Sequence, residues 1–340
     1  MADTAVVGQA AHDGGQPDPQ PEAGPGRRWP DRREVTRWLS VNGVYVALAL
    51  VLLVDALFLD RFLSVDNLRT QLVQVVPVVI VALGLALVIG TEGIDLSVGA
   101  VMALSAALLP LYLGYGWPTA VLVALLAGAA SGVLNGTLVA VVGVQPIVAT
   151  LALLVGGRGL ALVLADSQAK EILDPGLLAF GSERVLGVPR TVVLAAVLVV
   201  LVSLLVRRTT FGRQLLAVGG NPRASRLAGL PVRRTLIGVY VLSGMLAAVA
   251  GVVVTARLTA SDPSSTGLLI ELAAITAVVV GGTPLSGGRV RVLGTVAGAL
   301  LMQLLRATLN QFDVQDSTTQ MIQALVIVVA VGLQRSGRTA

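Results

Sequence analysis

Apolar runs separated by short polar breaks dominate the chain beyond residue 40. They cover roughly 41–59, 70–90, 96–113, 118–142, 146–165, 190–206, 234–256, 268–282, 292–310 and 318–333. Each is near the ~20 residues that cross ~30 Å of hydrocarbon at ~1.5 Å per residue. The pattern predicts an all-α integral membrane protein of about ten transmembrane helices. Barrel strands would instead alternate over ~10-residue segments.

Composition supports the membrane reading. Of 340 residues, 55% are hydrophobic and 13% charged, whereas soluble domains carry about 25% charged residues. The mean hydropathy is +0.85. Arginines then orient the spans. Segment 207–233 holds Arg207, Arg208, Arg213, Arg223, Arg226 and Arg233 without an acid, so the positive-inside rule makes it cytoplasmic. Alternation places both termini in the cytoplasm. It places 166–189 (Asp166, Glu171, Asp174, Glu183) and 311–317 (Asp313, Asp316) outside.

Residues 1–40 are rich in Gly, Pro, Gln and Asp, lack apolar periodicity and predict a disordered cytoplasmic tail. No apolar core of a signal peptide precedes residue 41. The tail ends in RRWPDRREVTRW, whose arginines, Trp29 and Trp38 suit the lipid headgroup region. The expected organisation is a tail 1–40, a membrane domain 41–335 with the cytoplasmic loop 207–233, and a short cytoplasmic tail 336–340.

Several chemistries are excluded. The chain has no cysteine, its single histidine, His12, lies in the tail, and no P-loop is present, Lys170 being the lone lysine. Thiolate catalysis, histidine metal sites and nucleotide hydrolysis by a P-loop of its own are therefore ruled out, and no cofactor is expected on this chain. The pI near 10.4 reflects loop arginines and does not imply a nucleic-acid partner.

Four features carry the functional reading. In the arginine-rich loop, Asn221 followed by Pro222 predicts a capped helix over 222–228, ended by Gly229 and Pro231. It is either part of an orientation-setting basic loop or a docking helix for a cytoplasmic partner. The stretch GTEGIDLSVG, 90–99, interrupts two apolar runs with Glu92 and Asp95. Asp95 or Ser97 caps the third helix, or the stretch is a broken helix lining a solute path. The stretch VGGTPLSGGRVRVLG, 280–294, turns the chain before the ninth run. Its likeness to GTEGIDLSVG reads as coincidence in a Gly-rich chain. Polar residues inside the spans are the fourth feature. Asn135, Gln145 and Glu271 are candidates for hydrogen-bonding a polar solute, while Asp55 and Arg306 read as snorkelling near span ends. Gly128, Gly132 and Gly136, and likewise Gly294 and Gly298, predict close helix packing.

Five stretches in order, GIDLSVGAVMAL (93–104), LNGTLVAVVGVQPIVATLALL (134–154), GRQLLAVGGNPRASRLAGL (212–230), VYVLSGMLAAVAG (239–251) and ELAAITAVVVGGTPLSGGRVRVLGTVAGAL (271–300), resemble the membrane permease of bacterial ABC importers for monosaccharides. The resemblance covers roughly 41–335. It implies a permease of about ten spans in the cytoplasmic membrane. It also implies a second permease copy, identical or paralogous, a cytoplasmic ABC ATPase that uses the ATP, and an external sugar-binding protein. Gly219, Gly220, Asn221, Pro222, Arg223, Ala224 and Arg226 then fall in the ATPase-coupling region. Asp95, Ser97, Asn135, Gln145 and Glu271 become candidates for the sugar path or its gate. The family pattern commonly reads E-L-D-A-I where this chain has Ala273, which puts a role for that acid in doubt here. An ion-coupled secondary transporter of a small polar solute is the alternative, with Asp95 and Glu271 as its acids.

Overall fold

The computed structural model describes residues 32–59 and 62–336, and its α-helices among them number thirteen. Each of the ten expected apolar stretches contains a helix. These are α1 (Arg32–Phe58), α2 (Val65–Gly90), α3 (Val98–Tyr112), α4 (Trp117–Thr137), α5 (Pro146–Leu164), α7 (Arg190–Arg208), α10 (Val232–Leu258), α11 (Ile270–Val280), α12 (Val292–Gln311) and α13 (Asp316–Ser336). The short helices α6 (Pro175–Ser182), α8 (Thr210–Gly220) and α9 (Pro222–Leu227) lie in the connections. Among the described residues, seven helices are long and apolar enough to cross a membrane, with Asn42–Phe58 and Ile270–Val280 as shorter apolar pieces.

Three departures from the sequence expectation have physical causes. The expected span 268–282 contains a turn: Gly267 and Leu269 both have positive φ, so the regular helix α11 is only 11 residues long. At ~1.5 Å per residue it covers about half of a bilayer core. Helix α1 begins at Arg32, so residues 32–40, assigned to the disordered tail, are helical, while 1–31 and 337–340 lie outside the described residues. Asp55 does not snorkel. It is fully buried on α1 and accepts a 2.7 Å hydrogen bond from the Thr308 hydroxyl of α12. Arg306 is exposed.

Helix α2 is the centre of the bundle and is buried from Val75 to Gly90 apart from Val78. Around it pack α10, α12, α11 and α7, while α3 sits between α10, α4 and α5. The glycine stripes make this packing possible. A Cβ on Gly128 would stand 2.5 Å from the Gly244 carbonyl oxygen of α10, and one on Gly132 would collide with the Tyr240 carbonyl. Gly294 and Gly298 of α12 face the backbone of α11 at Gly281 and Ala277 in the same way. Backbones meet directly because lipid supplies no hydrophobic drive for helix association.

The connections gather at two ends. At one end, β1 (Lys170–Glu171) pairs antiparallel with β4 (Ala260–Ser261). Also there, β2 (Arg184–Val185) and β3 (Val188–Pro189) form a hairpin whose two turn residues, Leu186 and Gly187, both have positive φ. At the other end, segments 91–97, 219–220 and 287–288 meet. The likeness between GTEGIDLSVG and VGGTPLSGG extends to their geometry. Glu92 N–H donates to Ile89 O and Gly93 N–H to Val88 O. Correspondingly, Gly282 N–H donates to Val279 O and Thr283 N–H to Val278 O. Glu92 (φ 67°) and Gly282 (φ 86°) hold the equivalent left-handed position. The same ending closes α5 (Asp166 N–H to Val163 O, Ser167 N–H to Leu162 O), α9 (Gly229 N–H to Arg226 O, Leu230 N–H to Ser225 O) and α12 (Asp313 N–H to Asn310 O, Val314 N–H to Leu309 O), so it is a recurrent helix stop and not evidence of a repeat.

Candidate functional site

The irregular segment 91–97 is largely covered, with Glu92 exposed at its edge; burial in protein is the condition for non-helical backbone at membrane depth. Thr91, Asp95 and Ser97 are buried. Both oxygens of the Asp95 carboxylate accept hydrogen bonds. Its Oδ1 accepts from Ser97 N–H at 3.0 Å and from Ser97 Oγ at 2.6 Å. Its Oδ2 accepts from Ser243 Oγ of α10 at 2.8 Å. Asn135 Nδ2 of α4 donates to Ser97 Oγ at 2.9 Å. The Thr150 hydroxyl of α5 lies 3.3 Å from Ile94 O, but its shorter bond, at 2.9 Å, goes to Pro146 O of its own helix. One polar junction therefore ties the start of α3 to α4 and α10.

Neither residue expected to cap α3 does so. Ser97 occupies the N-cap position of α3 but makes no capping bond with its side chain. Its hydroxyl is spent on Asp95. Asp95 bonds the N–H of Ser97 itself, an Asx-type turn that leads into the helix without capping it. Glu92 is exposed, at the left-handed position closing α2.

The structure brings Asp95, Ser97 and Asn135 together, with exposures of 2%, 1% and 1%. In this conformation no solute reaches them. Two buried atoms at the junction have no hydrogen-bond partner, Asn135 Oδ1 and Tyr240 Oη. A Cβ on Gly93 would stand 2.8 Å from that Tyr240 oxygen. Sequence reasoning missed Ser243 and Tyr240. Both are in VYVLSGMLAAVAG, and the available signal was a polar side chain inside a span, the same signal that picked Asn135.

Gln145 and Glu271 lie elsewhere. Gln145 is exposed, at the N-cap of α5, and makes no capping bond with its side chain. Glu271 is buried on α11 and faces the first turn of α3, where a Cβ on Gly99 would stand 2.7 Å from Glu271 Oε2. That oxygen has no hydrogen-bond partner. Arg158 of α5 reaches across to the turn before α11, donating to the carbonyls of Pro263, Ser264 and Thr266 at 3.2–3.3 Å.

The capped helix expected at 222–228 is α9. The Asn221 side chain accepts from Ala224 N–H at 2.9 Å, Pro222 fills the first helical position and Gly229 (φ 77°) follows the end. The segment before it, read from sequence as loop, is helix α8. Its N-cap Thr209 accepts from Gly212 N–H at 3.1 Å, and Leu215 and Val218 are buried while Arg213 and Ala217 are exposed. Gly220, Asn221, Pro222, Arg223, Ala224 and Arg226 are exposed, whereas Gly219 is buried. The exposed face is short, helical and cationic. Among the described residues no group of His, Cys, Asp and Glu side chains is arranged to hold a metal ion.

Residues 67–331 match the protein family described as the permease component of branched-chain amino acid transport systems. Individual relatives are similar over nearly their whole length. The chain is 39% identical to the galactofuranose transporter permease protein of Escherichia coli (strain K12), over 92% of this chain and 94% of that one. It is 37% identical to the fructose import permease protein of Bifidobacterium longum (strain NCC 2705), covering 88% and 89%. It is 36% identical to the ribose import permease protein of Haemophilus influenzae, covering 88% and 94%. No solved structure matches the chain.

Proposed function

The chain belongs to this permease family, and from that premise we propose that it is the multi-pass membrane permease of an ATP-driven importer, moving a neutral monosaccharide across the cytoplasmic membrane. The observation that carries the reading is the near full-length similarity to permeases named for galactofuranose, fructose and ribose. The ion-coupled alternative draws no support from these relatives. Asp95, which it would need as an open ion-binding acid, is occupied by protein donors.

In this reading about ten helices pack as a permease with both termini in the cytoplasm, and two copies, identical or paralogous, frame the path. The chain itself binds no cofactor. ATP is used by a cytoplasmic ATPase docked on the exposed face of α9 through Arg223 and Arg226, with Gly220, Asn221, Pro222 and Ala224 shaping that face. A sugar-binding protein delivers the solute from outside.

Transport needs a path that opens to one side at a time. The Asp95–Ser97–Asn135–Ser243 junction is the closed form of a gate: its groups bond one another when shut and offer hydroxyl-directed hydrogen bonds when parted. A neutral sugar needs no counter-charge, so weak polar contacts suffice and affinity resides in the binding protein. Gln145 and Glu271 remain candidates for other points along the path, and Ala273 removes a carboxylate there. Uptake of a panel of labelled pentoses and hexoses, by the permease reconstituted with its ATPase and binding protein, tests the substrate class. Uptake of none of them, with transport of an amino acid instead, would refute it.

A further inference from the structure

The docking region and the Asp95 junction are joined main chain to main chain. Gly288 N–H donates to Gly90 O at 3.0 Å. Gly219, at the end of α8, is buried against the same pair. A Cβ there would collide with Gly90 O and stand 2.8 Å from Gly288 N. Gly287 has φ 71°, and a Cβ on it would lie 2.6 Å from Gly219 O and 3.0 Å from Glu92 N. A Cβ on Gly90 would meet Val290, and Leu215 Cδ2 of α8 at 3.0 Å. Three glycine clusters far apart in sequence thus form one joint: the end of α2, the end of α8 and the turn before α12.

Such a joint transmits displacement efficiently. Where side chains separate two elements, rotamer changes absorb small movements, but touching backbones have no such slack. The joint's output is short and direct. From Gly90 the chain passes through the left-handed Glu92 and, three residues on, reaches Asp95 with its bonds to Ser97 and Ser243. Its input is equally direct, since α9 begins at Pro222, two residues after α8 ends.

We propose that the Gly90–Gly219–Gly287–Gly288 joint is the positioning element that carries movement of α9 to the Asp95 junction. Gly219, grouped by sequence with the docking residues, acts inward on α2, not outward on the ATPase. The inference rests on the reading of the chain as an ATP-driven permease.

The test uses the full complex in proteoliposomes, with Gly219→Ala compared against wild type and Gly114→Ala, whose added Cβ meets nothing within 4 Å. The expected result is that Gly219→Ala co-purifies with the ATPase and hydrolyses ATP within about twofold of wild type. It moves ~tenfold less sugar per ATP, while Gly114→Ala matches wild type. A wild-type yield of sugar per ATP would overturn the proposal, and so would loss of the ATPase on purification, which would make Gly219 a docking residue. A second measurement is independent of how Gly219→Ala folds. The chain has no cysteine, so Glu92→Cys carries a single spin label at the exposed edge of the joint. Its spectrum is expected to change when ATP and loaded binding protein engage the complex, and an unchanged spectrum would overturn the proposal. Sugar uptake by the wild-type complex without ATP would refute the underlying function instead, which keeps the two failures apart.

Discussion

Ser243 on α10 donates its hydroxyl to Asp95 Oδ2 at 2.8 Å, across 148 positions of sequence. This bond couples the start of α3 to the helix that packs against α4, α2 and α3. Removing the carboxylate leaves the buried Ser97 N–H and the Ser243 hydroxyl without their acceptor. Each orphaned buried group costs roughly 1–3 kcal/mol. Asp95→Ala is therefore expected to destabilise the detergent-purified permease by about 2–5 kcal/mol. Asp95→Asn keeps the shape, and the serine hydroxyl rotates to suit it, so about half that loss is expected. Thermal unfolding of the two variants checks the order. In a double-mutant cycle, Asp95→Asn and Ser243→Ala should couple by roughly 0.5–3 kcal/mol.

Gly132 and Gly156 predict opposite outcomes from the same substitution. A Cβ on Gly132 meets the backbone of Tyr240 and Val241, which cannot move aside, while one on Gly156 meets nothing within 4 Å. Gly132→Ala should cost roughly 1–3 kcal/mol through overpacking. Gly156→Ala should be neutral, or stabilising by up to ~1 kcal/mol through helix propensity. Melting temperatures of the two variants against wild type decide this.

The cap and the charge of α9 are separable. Asn221→Ala removes the hydrogen bond to Ala224 N–H and should cost about 1 kcal/mol of local helix stability, seen as faster amide exchange over 222–228. Reversing charge at Arg223 and Arg226 to glutamate leaves the cap intact. It is expected to detach or uncouple the ATPase while the permease still inserts in the membrane, as read by co-purification and uptake.

The turn before α11 predicts a pH dependence. Hydrogen bonds from the Ser264 and Ser265 hydroxyls hold the Asp262 carboxyl below its ordinary value of 3.8. A carboxylate whose pKa is lower folded than unfolded stabilises the fold above the unfolded value, and that contribution fades as pH falls through the folded one. Protease resistance of the 260–266 segment should therefore be constant from pH 7 down to about 4 and decline at lower pH. In Asp262→Asn that step should disappear.

The sequence made the helices legible and left their long-range partners hidden. Each of the ten apolar runs contains a helix, and seven helices among the described residues have the length and composition that crossing a bilayer demands. Asn221 and Pro222 announced α9 because capping is a local interaction. Helix α8 was missed because arginine and glycine read as loop, although Leu215 and Val218 form a buried face. The turn inside 268–282 was invisible, since Leu269 at φ 58° leaves no compositional mark. At the candidate site Asp95, Ser97 and Asn135 stood out as polar residues among hydrocarbon. Nothing local pairs Asp95 with Ser243, or Gly90 with Gly219 and Gly288, because those contacts exist only after the bundle closes.

The energy source of transport is the most direct test of the account. Permease, ATPase and sugar-loaded binding protein are reconstituted so that ATP is trapped on the side bearing α9, and labelled sugar uptake is followed with and without an ionophore. Uptake is expected to require ATP and to be unchanged when the ionophore collapses every ion gradient. Uptake that proceeds without ATP and stops on adding the ionophore would contradict that expectation, and would return Asp95 and Glu271 to the role of ion-coupling acids.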